Sequence, residues 1–171
     1  FYHLENLLSI PHKEMHWDKR ARSTNTEGIY IPGFSGLSAP YWTTGFEDIF
    51  IGLEDDPNQI VRAAVESIGF LVNDILECLK PAVTTLPNIL TAAGGGARPS
   101  LLQFIANVTG MQIGYSSIKD RTALGVFRIL NDSYMGENEN RVVTIFYPKF
   151  SAEIIGKKAQ WRDAIEKAKF N

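Results

Sequence analysis

Three consecutive glycines, Gly94-Gly95-Gly96, followed by Ala97 and Arg98, are the residues of this 171-residue chain whose types and spacing say most about chemistry. They follow a β-type apolar run, Asn88-Ile89-Leu90, and lead into a helical pattern, Leu101-Leu102-Gln103-Phe104-Ile105. A strand-to-helix turn without β-carbons lets a flat or anionic ligand approach backbone amides and the positive end of the following helix. Such turns are also ordinary connections, so the triplet gains force only from the segments around it.

Other reactive types are less well placed. His12 and His16 stand four residues apart, which on one helix puts both on a single face with Glu14 and Asp18 nearby. Zinc needs further ligands, and neither a cysteine nor another histidine stands at useful spacing, so no metal site is assigned. Lys13, Lys19, Arg20 and Arg22 read as a solvated face diluted by acidic neighbours. Cys78, the only cysteine, falls between core positions of a helix and is expected to be a buried structural thiol. Asp120 is expected to cap a helix, and Gly125 to let that helix lie close to a sheet. The chain has no G-x-S-x-G, H-E-x-x-H or G-x-x-x-x-G-K-[ST] motif, and no catalytic residue is assigned.

The elements that must position the glycines alternate. A short apolar helix is expected over Tyr2–Ile10, then a polar passage to Glu27. A β-like run, Gly28-Ile29-Tyr30-Ile31, precedes the aromatic loop Phe34–Trp42, which is expected to be tucked down by its own side chains. A second short strand covers Asp48–Leu53. The clearest helix starts at Asp56-Pro57, with Gln59 at the capping-box position. Its apolar positions Val61, Val65, Ile68, Val72, Ile75 and Leu79 mark one buried face. Strands at 89–93, 111–115 and 142–147 then alternate with helices at 100–108, 121–130 and 151–169, around a polar loop at Asn138-Glu139-Asn140. Strand–helix alternation predicts an α/β fold with one central mixed sheet holding all five strands.

Composition narrows the function classes. With 44% apolar residues the chain can bury one sizeable core, and a formal net charge of -2 gives no general pull toward nucleic acid or anionic membrane. The lone cysteine forbids an internal disulfide and suits a reducing compartment, the cytoplasm.

Four ordered blocks carry a resemblance. Gly28-Ile29-Tyr30-Ile31-Pro32-Gly33-Phe34-Ser35-Gly36-Leu37-Ser38-Ala39-Pro40-Tyr41-Trp42 resembles the run "GVYFVPAFSGLYAPYW", and Ile60–Phe70 is similar to the helix "IARAALEAIAF". Gly94–Phe104 matches a nucleotide loop, and Thr122-Ala123-Leu124-Gly125 matches "TALGAA". The ending with Phe146-Tyr147-Pro148 and Trp161 is similar to "FEP…W…AV". Together they resemble the C-terminal domain of the FGGY carbohydrate kinases, most nearly their glycerol kinase branch.

The resemblance implies a ribonuclease-H-like, actin-like ATPase domain, a mixed sheet flanked by helices and incomplete at its N-terminal side. It divides the chain into a helix and linker region, 1–27, and a nucleotide-binding part, 28–171. It implies a parent that transfers the γ-phosphoryl of ATP, with Mg2+, to a sugar or polyol hydroxyl. This part would supply the adenosine side through Gly94, Gly95, Gly96 and Ala97, with the catalytic base in an absent N-terminal domain. The sequence departs from the family in three places. Ala93 replaces the usual Asp before the glycines, Arg98-Pro99-Ser100 stands where a polar adenine contact is common, and Thr43–Glu47 replaces "DPxARG". These departures leave two alternatives, a pentulose (xylulose-type) kinase and a non-catalytic regulatory domain. Apolar side chains of the first helix (Leu4, Leu7, Leu8) are expected to lack cover and to favour self-association as a homo-oligomer.

Overall fold

The computed structural model describes residues 1–45, 47–131 and 142–169. Three short helices open the chain: α1 (Tyr2–Leu7), α2 (His12–Met15) and α3 (Trp17–Ser23). Strands β1 (Ile29–Ile31) and β2 (Ile49–Ile51) precede the long helix α4 (Pro57–Leu79). Then come β3 (Ile89–Ala92), α5 (Pro99–Thr109), β4 (Gln112–Ser116), α6 (Arg121–Asn131), β5 (Val142–Phe146) and α7 (Ala152–Lys169). The polar loop read at Asn138–Asn140 lies outside the described residues.

The alternation is present, but the five strands do not share one sheet. β1 and β2 form an antiparallel pair, and β3-β4-β5 form a separate sheet. In the latter β3 runs parallel and β5 antiparallel to β4, so that sheet is mixed. The physical reason is α4, which lies between the two groups and contributes to every buried apolar cluster. Phe70 packs with Ile29, Ile31 and Trp161. Ile60, Val61 and Ala64 pack with Leu4, Met15 and Tyr30. Val65 packs with Ala21, Leu101, Leu102 and Ile113. Burying one such side chain is worth about 1.5–3 kcal/mol, so the α4 stripe accounts for much of the cohesion.

Local chemistry explains the ends of α4 and α5. Asp56 accepts from the Asn58 N–H at 2.9 Å and Pro57 takes the first helical position. Gln59 does not complete a capping box: its amide donates to Glu54 at 3.1 Å instead. Helix α5 stops at Gly110, whose φ of 72° is open to glycine at little cost. Where α4 crosses α5, a β-carbon on Gly69 would collide with the Phe104 ring.

Several expectations change. Helix α1 ends at Leu7 rather than Ile10. Its Leu4 is 3% exposed while Leu7 is 46% exposed, so only part of this helix lacks cover. His12 and His16 do not share a helix face, because His16 adopts a left-handed φ of 36° between α2 and α3. Instead His12 bonds Glu5 at 2.8 Å. Cys78 is exposed, since the last turn of α4 runs past the core. A β-carbon on Gly125 would meet nothing within 4 Å, so that glycine serves no close packing. In the aromatic loop Leu37 is buried, but Phe34 and Trp42 are 58% and 77% exposed.

Candidate functional site

The glycine turn joins the C-terminal end of β3 to the first turn of α5, where the sequence places it. Two short bonds set its shape: Ala97 N–H donates to the Gly94 carbonyl at 3.2 Å and Arg98 N–H to the Gly96 carbonyl at 2.9 Å. Gly94 has φ +93°, a conformation that side chains resist. Gly95 and Gly96 do not need glycine for backbone reasons. Both are exposed, and a β-carbon on either would meet nothing within 4 Å. The outer face of the turn is therefore bare backbone open to solvent. The β4–α6 connection flanks it, with the Lys119 carbonyl 3.7 Å from where a Gly94 β-carbon would stand. Asp120 caps α6 as expected, accepting from the Ala123 N–H at 2.8 Å.

Ser100 in the first turn of α5 is paired with a residue not singled out for this role. Asp18, on α3, accepts from the Ser100 N–H at 2.9 Å and from its hydroxyl at 2.8 Å. The second Asp18 oxygen pairs with Arg22 at 2.9 Å. Sequence spacing shows only the Asp18–Arg22 pair; a bond across 82 positions leaves no local signal.

Two further polar networks brace the surrounding frame. Asp74, buried on α4, accepts from the Tyr41 hydroxyl and the Trp161 indole N–H, each at 2.7 Å. Burial, then the Asp74 carboxylate, pushes the Tyr41 hydroxyl well above the usual phenol range. The motif residues Tyr41 and Trp161 thus meet on one carboxylate, away from the glycine turn. Lys157, 2% exposed on α7, bonds Glu66 and the Thr26 carbonyl, and Glu66 also accepts from Arg62 at 2.6 Å. On the other flank, Asp48 accepts from His3 and from the Gly33 and Phe34 N–H groups. Burial pushes this carboxyl up, but those three donors outweigh it and hold it below the ordinary carboxylate range.

Two open pockets lie away from the turn. A cavity of about 370 Å³ is bounded by Phe1, Tyr2, Tyr30, Phe34 and Ile68, and a groove of about 330 Å³ by Val72, Leu76, Leu90 and Ile105. Neither is lined by the glycines. Among the described residues no three His, Cys, Asp or Glu side chains group so as to hold a metal ion. No described helix is long and apolar enough to cross a membrane.

Residues 5–130 match the profile of the FGGY family of carbohydrate kinases, C-terminal domain. Glycerol kinase from Aquifex aeolicus is 31% identical over 159 residues, covering 85% of this chain and 32% of that protein. Glycerol kinase from Shewanella baltica is 30% identical over 162 residues, covering 87% and 33%. Among solved structures, Plasmodium falciparum glycerol kinase with ADP superposes with a TM-score of 0.78 at 24% identity, over 98% of this chain and 36% of that one. A xylulose kinase from Lactobacillus acidophilus gives a TM-score of 0.67 at 18% identity, over 90% and 35%. The chain thus spans about a third of the length of the relatives it matches. Its profile match, its identity to these kinases and its shared fold place the chain in the FGGY family of carbohydrate kinases, as a C-terminal domain.

Proposed function

We propose that this chain is the nucleotide-binding part of an ATP-dependent polyol kinase of the glycerol kinase type, with Gly94, Gly95, Gly96 and Ala97 receiving the adenosine. The observation that carries the reading is the bare, exposed backbone of the turn between β3 and α5, in a chain of this family. A relative of the same fold was solved with ADP, and identity to glycerol kinases over most of the chain favours a polyol acceptor over a pentulose.

In this reading residues 28–171 carry the nucleotide wall and 1–27 flank it. The hydroxyl acceptor, its base and the other wall of the cleft belong to the remaining two-thirds of a full-length kinase. Such an enzyme works in the cytoplasm, where ATP is plentiful and Cys78 stays reduced. Among the described residues β3 pairs only with β4, and in this reading the rest of the parent fold lies beyond that edge. Phosphoryl transfer from ATP uses Mg2+ to neutralise phosphate charge. Among the described residues no three His, Cys, Asp or Glu side chains could hold that ion by themselves, so no step is assigned to it. In this reading the chain binds and orients: a turn without side chains presents peptide planes to a planar base.

The test is Gly95→Val in the full-length kinase, titrated with ADP and melted without ligand. A β-carbon at Gly95 meets no neighbour and requires no unusual φ, so the fold and Tm should stay unchanged while ADP binding weakens at least tenfold. Unaltered binding in the folded variant rejects the loop as the adenosine site.

A further inference from the structure

Helix α5 begins without a cap of its own. Its N-cap residue, Arg98, makes no side-chain capping bond, and Pro99 at the first position has no N–H to offer. The first N–H that α5 can present is that of Ser100. In an open helix start that donor, with the dipole behind it, would draw a phosphate. Here Asp18 fills the place from α3, taking both the N–H and the hydroxyl of Ser100. Its other oxygen is occupied by Arg22. The carboxylate brings a full negative charge to a helix end that offers roughly half a positive one. Arg22, mostly exposed but paired with that oxygen at 2.9 Å, offsets part of this charge.

From this arrangement we infer that Asp18 is a positioning and selecting residue for the nucleotide site. It fixes the α5 end of the glycine turn and closes the first turn of α5 to phosphate, so that the uncharged nucleoside end of the nucleotide lies on Gly94–Ala97. The inference rests on the adenosine reading above and makes it more specific. One end of the turn is held by β3, paired to β4. The other is held through Ser100, which is 6% exposed, to a helix outside the 28–171 part. Bonds within the turn tie Gly94 to Ala97 and Gly96 to Arg98. Freeing Ser100 leaves those local bonds and the packing of Ala97 and Leu101 to hold the bare face in shape.

The experiment uses the full-length kinase with Asp18→Asn and Asp18→Ala, and adenosine and ADP as probes at low salt. Asn keeps an oxygen that accepts from Ser100 but removes the charge. Asp18→Asn should bind adenosine within about twofold of the parent and raise the ratio of ADP to adenosine affinity at least threefold. Asp18→Ala should weaken adenosine about tenfold. Adenosine affinity unchanged in Asp18→Ala, or an unchanged ratio in Asp18→Asn, overturns the inference. If Asp18→Ala fails to fold, the ratio in Asp18→Asn decides alone. The underlying reading fails separately: it falls if Gly95→Val leaves adenosine binding intact. If Gly95→Val abolishes binding while both Asp18 variants behave as the parent, only the role of Asp18 falls.

Discussion

Asp48 shows how a single side chain can couple two distant segments to pH. It ties His3 on α1 to the backbone at Gly33 and Phe34. Its carboxyl is held below the ordinary value because the charged form accepts those bonds. A depressed folded value makes the stabilisation complete above the unfolded carboxylate value, near 4, and removes it as pH falls through the lower folded value. The stability advantage of the parent chain over Asp48→Asn should therefore be full at neutral pH and shrink as the solution is acidified below about pH 4. Urea titrations at several pH values measure it, and a gap that stays constant into acid would contradict the coupling. The same scale separates the glycines. Gly94 needs its φ, Gly69 needs the space that Phe104 fills, and Gly95 and Gly96 need neither. Of these four, only the last two are free to be glycine for a ligand's sake.

Helix α7 illustrates what an element owes to buried polar contacts. Trp161 stacks on Phe70 at 5.1 Å, Ala164 and Ile165 fill the cluster around β1, and Lys157 reaches a buried carboxylate. Without Lys157, Glu66 keeps only Arg62 and the Thr26 carbonyl loses its donor, so Lys157→Ala should cost about 3 kcal/mol. Pairing Lys157→Met with Glu66→Gln should recover part of that loss, because no buried carboxylate is then short of a partner and Arg62 keeps the Ala21 carbonyl. Chemical denaturation of the three proteins decides it; a double variant as weak as the single one would mean the lysine contributes by packing. Elements of this kind are partly legible in sequence. The apolar periodicity of α4 and the Asp56-Pro57 start predict that helix, since both signals are local. The separation of β1-β2 from β3-β4-β5 is not, because short apolar strands carry no record of which partner they pair with. The Asp18–Ser100 bond is equally silent for the same reason. The glycine turn was visible because its signal is three adjacent residues between two periodic patterns. The exposure of Cys78 is not legible, because periodicity marks a face and not where along the helix the core ends.

At the scale of the molecule, apolar surface is distributed unevenly. Val126, Phe127, Ile129 and Leu130 on α6 are 50–82% exposed, and Val143 on β5 and Phe150 beside it are 61% and 78% exposed. By contrast, Leu4 and Met15 in the opening helices are buried. The expected driving force for self-association therefore shifts from α1 to α6 and β5. Exposed apolar side chains grouped along one helix favour association when no partner covers them. With a formal net charge of only -2, little long-range repulsion opposes contact. The chain studied by itself should show concentration-dependent oligomers in sedimentation, and raised salt should strengthen rather than dissolve them, since the contact is apolar. Ile129→Glu with Leu130→Glu should shift the population toward monomer without loss of helical signal, because both side chains already face solvent. A full-length kinase should lose the effect if its additional chain covers α6. Monomers at high concentration would refute the association, and oligomers that the two glutamates leave unchanged would place it elsewhere; the edge of β3 that no described strand pairs is then the next surface to block, with Leu90→Pro.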